Sequence, residues 1–238
     1  MMRAQRVDVM CCQDVRLMDE ELDWYTGQVQ LAFGVQSKCF LDAAAVGSPK
    51  SRVGGQLILI TQLWGAKCST HLKDPTQQGV LSAIHIDLED NSKLLIISVY
   101  WPVKAAERDT RPGRLWNRVL QHLRSVNKSE MSPLAYIQSE LESITTTHMK
   151  EAGSSAVMCG DFNASWFNSR SSHVLKDWAE ECLWSNALVT LTGQQDTLRT
   201  YWHNPVKPTS WVDHFLWHTG SSLQCSGGES CMARSGRM

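Results

Sequence analysis

The chain has 238 residues, of which 42% are hydrophobic and 20% charged, and this composition suits one globular domain with a full-sized core. A formal net charge of −1 excludes nucleic-acid binding through overall positive charge, so any such contact requires a local basic surface. The chain begins without the apolar core of a signal peptide, and its longest apolar run is too short to span a bilayer.

Cysteine spacing and the absence of export signals bear on the compartment. The eight cysteines show no C-x₂-C spacing of a zinc site, and several lie inside apolar, strand-like runs. We therefore expect an intracellular, thiol-reduced protein of the nucleus or cytoplasm. It is expected not to be secreted, and to have neither a disulfide partner nor a membrane partner.

Apolar segments in the first part of the chain predict strands. Val7–Cys12 is strand-like and ends at the polar pair Gln13-Asp14, and Gly54–Ile60 is a second strand that two glycines open. Ala83–Tyr100 alternates, turns at Asp90-Asn91 and then runs apolar. This last pattern predicts a β-hairpin.

The next segment, RPGRLWNRVLQHLRSV, has the spacing of an amphipathic helix. Its apolar face consists of Leu115, Val119, Leu120, Leu123 and Val126. The opposite face carries Arg111, Arg114 and Arg118, in the most basic part of the chain. These arginines are candidates for binding nucleic-acid phosphates, and an ordinary solvated helix face is the alternative.

The second half of the chain mixes helices with short strands. The segment from Ser132 to Gly153 predicts a helix that Ser132 caps and Gly153 ends, and SHVLKDWAEECLW predicts another. Ala156–Cys159, RTYW and TSWVDHFLW predict strands. Strands in hairpins together with separate helices indicate an α+β layered sandwich, and no linker marks a domain boundary.

Polar side chains stand at the ends of these predicted strands or within them. Asp14, Tyr100 and Asp161 each end a strand, and Asp213 lies inside one. Asn163 is two positions after Asp161, so an extended backbone directs both side chains to one spot. Carboxylates with an amide and a phenol are the usual groups around hard divalent cations and phosphate esters.

Each of these residues also has a purely structural alternative. Asp161 and Asn163 are typical of an Asx turn, and Asp14 is a possible N-cap of a helix opening at VRLMDEEL. Asp213 is a possible structural acid bonded to a backbone amide. Tyr100 is a possible strand aromatic with its hydroxyl at the surface.

Five short motifs occur in a fixed order along the chain. They are QD at 13–14, GG at 54–55, VYWP at 99–102, GDFN at 160–163 and SWVDH at 210–214. This set resembles the endonuclease/exonuclease/phosphatase superfamily, and most of all the AP-endonuclease-like endonuclease domain of non-LTR retrotransposons. The resemblance implies a four-layered αββα sandwich and an endonuclease or phosphodiesterase that acts on DNA with Mg²⁺ or Mn²⁺.

The resemblance also implies roles for individual residues. Asp14 stands where the family has a glutamate that binds the metal. Tyr100 matches a tyrosine that contacts the scissile phosphate, and Asn163 matches an asparagine that holds it. Asp161 matches the aspartate that aligns or deprotonates the attacking water, and Asp213 matches the aspartate that orients a catalytic histidine.

Departures from the family pattern lower the expected activity. Aspartate at position 14 is one methylene shorter than glutamate, and His214 is expected to be structural. The first strand of the family and its closing Ser-Asp-His motif have no counterpart, so we expect an incomplete domain over residues 1–219 and a disordered polar tail over 220–238. The hypothesis is a DNA nuclease with impaired activity. A catalytically dead fragment and a phosphatase-type member that acts on a small phosphate ester are the alternatives.

Overall fold

The computed structural model describes residues 7–48, 51–88, 91–104, 114–164, 166, 172–192 and 213–221. Within these residues the strands are β1 (Val9–Gln13), β2 (Lys38–Asp42), β3 (Ala45–Ser48), β4 (Ser51–Val53), β5 (Gln56–Ile60), β6 (Cys68–Lys73), β7 (Leu81–Asp87), β8 (Lys93–Tyr100), β9 (Ser154–Asp161), β10 (Trp184–Asn186) and β11 (Asp213–His218). The helices are α1 (Leu22–Phe33), α2 (Gln62–Gly65), α3 (Leu115–Ser125), α4 (Pro133–Met149), α5 (Ser172–Glu181) and α6 (Ala187–Thr192), with a 3₁₀ turn at Asp19–Glu21.

Two sheets form the centre of the fold. The larger has the strand order β10-β11-β9-β8-β7-β6, and the smaller has the order β1-β5-β2. Strands β3 and β4 form a separate hairpin. Every pairing in the two main sheets is antiparallel except that of β8 with β9, which are parallel and joined through α3 and α4.

The sheets pack face to face through an aliphatic layer. Isoleucines from both sheets fill this layer and are almost fully buried: Ile58, Ile60, Ile84, Ile86 and Ile96. Burial of such side chains stabilises the fold by about 1.5–3 kcal/mol each. This layer fixes the two sheets against each other and therefore fixes any site built from both.

Helices cover the outer faces of the sheets. Val29 of α1 packs on Leu41 and Leu57 of the smaller sheet. Helices α3, α4 and α5 pack on the larger sheet through apolar positions that include Leu123, Leu141 and the other members of that cluster. The predicted α+β class is confirmed by this arrangement.

Several local predictions are confirmed and one is wrong. The hairpin is β7 and β8, and the Ser132 hydroxyl accepts a hydrogen bond from the Ala135 amide at 3.1 Å as an N-cap. Val126, predicted on the apolar face, is 44% exposed because α3 ends at Ser125. The predicted strand RTYW lies outside the described residues, as does the predicted tail from residue 222 onward.

None of the helices in the described ranges combines enough length with enough apolar character to cross a bilayer.

We expect the substitution Gly160→Ala to lower the free energy of unfolding by about 1–3 kcal/mol, the usual cost of overpacking a core. A Cβ atom on Gly160 would lie 1.9 Å from the Val99 carbonyl oxygen of β8, so the parallel pair must move apart. Urea unfolding followed by circular dichroism measures the change. Gly27→Ala in α1 is the control, because nothing lies within 4 Å of its Cβ. It should raise stability by about 0.5–1 kcal/mol, and equal losses in both variants would contradict the argument.

Candidate active site

The pairing of β8, β9 and β11 brings three of the predicted residues together. Tyr100 pairs with Asp161 where the parallel strands β8 and β9 end. Asp213 begins β11 directly across from Asp161. Because neighbouring strands lie about 4.8 Å apart, their side chains share one end of the sheet.

The side chains of Tyr100 and Asp161 face the smaller sheet. Alternate residues on β8 and β9 point to opposite faces, and the positions facing the helices include Val99 and Met158. Leu94, Ile96 and Val157 instead pack in the layer between the sheets. Tyr100 and Asp161 have the same parity as that second set and extend it to the rim. The candidate site therefore opens where the two sheets meet.

Asp161 and Asn163 form a tight turn. The Asn163 amide donates to Oδ1 of Asp161 at 2.9 Å, which is an Asx turn, and its backbone has φ +47°. The Asn163 side-chain amide donates to the Trp101 carbonyl oxygen at 2.8 Å. The structural alternative is thus observed, and it also holds the Asn163 amide beside the end of β8.

Asp14 belongs to a loop that is built on the two glycines. Its Oδ1 accepts a hydrogen bond from the Gly54 amide at 2.9 Å, and the Arg16 amide donates to the Gly54 carbonyl oxygen at 3.1 Å. Gly54 and Gly55 have φ angles of +74° and +94°, which a residue with a Cβ rarely adopts. Asp14 does not cap a helix, so the N-cap alternative is wrong: the next helical turn starts only at Asp19.

Arg16 is a part of the site that the sequence analysis missed. Its guanidinium lies 3.0 Å from Oδ2 of Asp14, and hydrogen bonding to Asp14 raises the pKa of Arg16 further above its ordinary value. Burial raises the pKa of Tyr100, and the positive charge of Arg16 offsets a part of that rise. Because Asp14 and Arg16 both have positive φ, the alternation of an ordinary strand does not predict this contact.

Electrostatics link the carboxylates across the two sheets. The pKa of Asp161 is raised to about 6, mainly by burial and in part by the charges of Asp213 and Asp14, while the hydrogen bond from the Asn163 amide opposes the rise. Burial raises the pKa of Tyr100 as well, and the nearby Asp161 and Asp14 add to that effect. Strand pairing and a hydrogen bond join Tyr100, Asp213 and Asn163 to Asp161, and the hydrogen bond from Gln13 to Ser98 brings the neighbouring Asp14 to the same rim.

His214 faces away from the site. Its Nε2–H donates to the Ala164 carbonyl oxygen at 2.8 Å, and its Nδ1 accepts from the Asn186 side chain at 3.2 Å. Burial lowers its pKa to about 4, so it is neutral at pH 7. Asp213, the preceding residue, is exposed on the other face of β11. The expectation that His214 is structural agrees with this position.

A chain of polar side chains lies between the sheets beneath the site. The Gln13 side-chain amide donates to the Ser98 hydroxyl at 2.8 Å, and Ser98 donates to Oε1 of Gln56 at 2.6 Å. Gln56 in turn donates to the Gly79 carbonyl oxygen at 3.2 Å. Ser98 is two residues before Tyr100 on the same strand face. This spacing in the sequence indicates that Ser98 lies beneath the site.

The predicted nucleic-acid contacts lie at the start of α3. Arg114 precedes the helix and is exposed, whereas Arg118 is half-buried and burial lowers its pKa. Arg111, the third predicted contact, lies outside the described residues.

The carboxylates fit a hydrated cation better than a closed metal cage. The described residues contain no group of three or more His, Cys, Asp or Glu side chains at metal-binding spacing. Mg²⁺ commonly keeps several waters and binds one or two carboxylates together with substrate phosphates. Asp161, whose pKa is raised by burial and further by the charges of Asp213 and Asp14, belongs to a cluster of negative charge that such an ion neutralises.

The chain is similar to known proteins in its family and in its fold. A family model described as the endonuclease/exonuclease/phosphatase family matches residues 1–231. Among curated proteins, no sequence matches the chain.

Solved structures with low sequence identity share the fold. A 3'-5' exonuclease (NExo) from Neisseria meningitidis superposes with a TM-score of 0.57 and 13% identity, over 88% of this chain and 76% of that one. The human Nocturnin catalytic domain gives 0.53 and 14%, over 91% and 71%. The Xenopus laevis APE2 catalytic domain gives 0.52 and 13%, over 91% and 79%.

The raised pKa of Asp161 predicts a stability change with a definite pH dependence. The folded chain holds this proton more tightly than the unfolded chain, so the stabilising contribution is complete below pH 3.8 and is lost as the pH rises through about 6. Asp161→Asn removes that loss. It should raise the free energy of unfolding at pH 7 by on the order of 1 kcal/mol, after allowance for solvent screening.

Urea unfolding at pH 4 and at pH 7 measures this dependence. Asp177→Asn, on the exposed side of α5, is the control and should behave the same at both values. An effect of Asp161→Asn that is equal at pH 4 and pH 7 would contradict the assignment of the raised pKa.

Proposed function

Since the chain belongs to the endonuclease/exonuclease/phosphatase family, we propose that it is a Mg²⁺- or Mn²⁺-dependent phosphodiesterase that nicks DNA with low activity. The observation that carries the proposal is the meeting of Asp14, Tyr100, Asp161, Asn163 and Asp213 at the rim between the sheets. A carboxyl with a pKa near neutrality among hydrogen-bond donors is what cleavage of a phosphodiester needs.

Asp14 is the residue that would hold the metal ion, and Asp161 lies across from it. They extend from opposite sheets, and the charge of Asp14 raises the pKa of Asp161. When bound, the ion supplies positive charge to the phosphate and lowers the pKa of a water. Arg16 pairs with Oδ2 of Asp14 on the solvent side. Because an exposed ion pair of this kind is weak, the Arg16 guanidinium can turn toward an incoming phosphate at little cost.

The remaining residues have complementary roles. Asp161, with a pKa of about 6, is largely ionised at pH 7 and accepts a proton from the attacking water. Burial is the main cause of that raised pKa, and the charge of Asp213 adds to it. The Tyr100 hydroxyl and the Asn163 side chain are neutral donors that hold the phosphate oxygens and meet the negative charge that develops there.

The choice of DNA as substrate and the low activity rest on separate arguments. Arg114 and Arg118 lie on the basic helix that follows the site strand β8, and one chain of similar fold is named a 3'-5' exonuclease. The retrotransposon type rests on the five sequence motifs. The low activity rests on the position of His214, which is bonded to Ala164 and Asn186 and takes no proton from the site.

We expect slow, Mg²⁺-dependent nicking of supercoiled plasmid DNA by the full chain, and we expect Asp161→Ala to reduce its rate by at least about 10²-fold. The physical reason is that this change removes the carboxylate that is proposed to accept the proton of the attacking water. Gel conversion of supercoiled to relaxed plasmid, with and without EDTA, measures the rate. Asp177→Ala, purified in parallel, is the matched control and should keep the wild-type rate.

Two results would overturn the proposal. Nicking that persists in Asp161→Ala at the wild-type rate comes from a contaminating nuclease or from another site. Fast, multiple-turnover hydrolysis of a small phosphate monoester without cleavage of DNA would favour the phosphatase-type alternative.

We also expect Arg114→Ala to weaken binding of a short DNA duplex and to reduce the slope of log Kd against log salt by about one, since each phosphate contact releases about one counterion. Fluorescence anisotropy at several salt concentrations between about 50 and 200 mM measures both quantities. Lys176→Ala on α5 is a matched change of charge away from this helix. An identical salt slope in wild type and Arg114→Ala would remove Arg114 from the interface.

A further inference from the structure

A buried carboxylate organises the segment between β6 and β7. Asp74 directly follows β6 and is 3% exposed. Its Oδ1 accepts hydrogen bonds from the Thr76 amide and from the Thr76 hydroxyl, both at 2.8 Å. Its Oδ2 accepts from the Val80 amide at 2.9 Å and from the Gln78 amide at 3.2 Å. One side chain thus fixes the backbone of this segment, the Asp74 loop (residues 74–80).

The Asp74 loop is bonded to the two glycines that support Asp14. The Gly79 carbonyl oxygen accepts a hydrogen bond from the Gly55 amide at 3.1 Å. A Cβ atom on Gly79 would lie 2.4 Å from the Gly55 nitrogen, so the two backbones are in direct contact. The neighbouring Gly54 amide in turn donates to Oδ1 of Asp14. The loop therefore reaches Asp14 through two backbone contacts.

The same loop is bonded to the strand that ends at Tyr100. The Val80 amide donates to Oδ2 of Asp74, and the Val80 carbonyl oxygen accepts from the Tyr100 amide at 2.8 Å. Val80 is fully buried, so water does not compete for these bonds. Asp14 and Tyr100 extend from different sheets, and the carboxylate of Asp74 is connected to both of them.

A second buried carboxylate supports Asp74 from behind. Oδ1 of Asp42 accepts a hydrogen bond from the Asp74 amide at 2.9 Å, and its Oδ2 lies 3.0 Å from Nε2 of His71. Burial raises the pKa of Asp74, whereas the hydrogen bonds from Val80 and Thr76 lower it in return. A buried carboxylate without its hydrogen bonds is strongly unfavourable, so each of these bonds constrains the loop.

We propose that Asp74 is a positioning residue of the candidate active site, which sets the places of Asp14 and Tyr100. The inference rests on the proposed function, in which Asp14 is the residue that would hold the metal ion. Asp74 acts through the backbone of the Asp74 loop and of Gly54. Placement matters because Mg²⁺ demands near-ideal octahedral geometry, and because loss of a supporting contact typically lowers metal affinity by about 10–100-fold.

The test compares the full wild-type chain with Asp74→Asn. Asparagine has the shape of aspartate, but its one side-chain oxygen accepts the bonds of only one of the two carboxylate oxygens. Amide hydrogen exchange followed by NMR, in the absence of metal, measures local opening at Gly55 and Tyr100. Mn²⁺ binding, followed by electron paramagnetic resonance well below Tm, measures the effect on the metal site.

Two variants serve as controls. Leu141→Ala removes a fully buried side chain of α4 and lowers stability without touching the Asp74 loop. Thr76→Val removes the hydroxyl that donates to Asp74 but keeps the charge of the carboxylate. It separates an effect of position from an effect of charge, and it takes the place of Asp74→Asn if that variant does not fold.

We expect Asp74→Asn to exchange faster at the amides of Gly55 and Tyr100 than at that of Ile96, in the middle of β8, and to bind Mn²⁺ about 10–100-fold more weakly. Thr76→Val should change both quantities in the same direction and by less. Leu141→Ala should lower Tm and keep the wild-type affinity for Mn²⁺.

Unchanged exchange at Gly55 and Tyr100 in Asp74→Asn would overturn the proposal. Faster exchange with unchanged Mn²⁺ affinity would also overturn it, since Asp74 would then be a structural residue only. If wild type binds no Mn²⁺, the metal requirement of the proposed function fails instead. The exchange measurements then decide the role of Asp74 by themselves, because they need no metal and no catalysis.

Discussion

The parallel pairing of β8 with β9 is the constraint on which the rest of the structure depends. It places Tyr100 beside Asp161, and Gly160, which has no Cβ, allows β9 to approach the Val99 carbonyl oxygen of β8. A shift of β9 by one residue would turn Asp161 toward the helices and its apolar neighbours toward the other sheet. The register of this strand pair thus determines both the core and the position of the candidate site.

The interface between the sheets changes character along its length. It begins with the isoleucine layer and ends with the hydrogen-bonded chain of Gln13, Ser98 and Gln56, directly below Asp161. The apolar part supplies stability, and the polar part holds the carboxylate loop of Asp14 through Gly54. A site at the rim of such an interface combines rigid support with access for a large substrate.

Local signals explain which parts of the fold were predictable. The β7–β8 hairpin and the start of α4 follow from alternation and the Ser132 cap, both of which act within a few residues. The predicted turn residue Asp90 lies outside the described residues. Strand β6 was missed because it is a polar edge strand whose side chains are largely exposed. The five candidate site residues were predicted from ordered motifs. Arg16 was not, because its contact with Asp14 depends on left-handed backbone angles that no local pattern encodes.

The order of the strands has a consequence for synthesis of the protein. The crossover through α3 and α4 must close before β9 can join β8, and β11 pairs with β9 only after the chain has continued beyond α6. Long-range pairings of this kind form slowly, and a chain emerging from the ribosome exposes the inner face of β8 until then. Asp161 therefore meets Asp213 only after β11 has emerged, so a nascent chain completes its candidate nuclease site later than the sheets that support it.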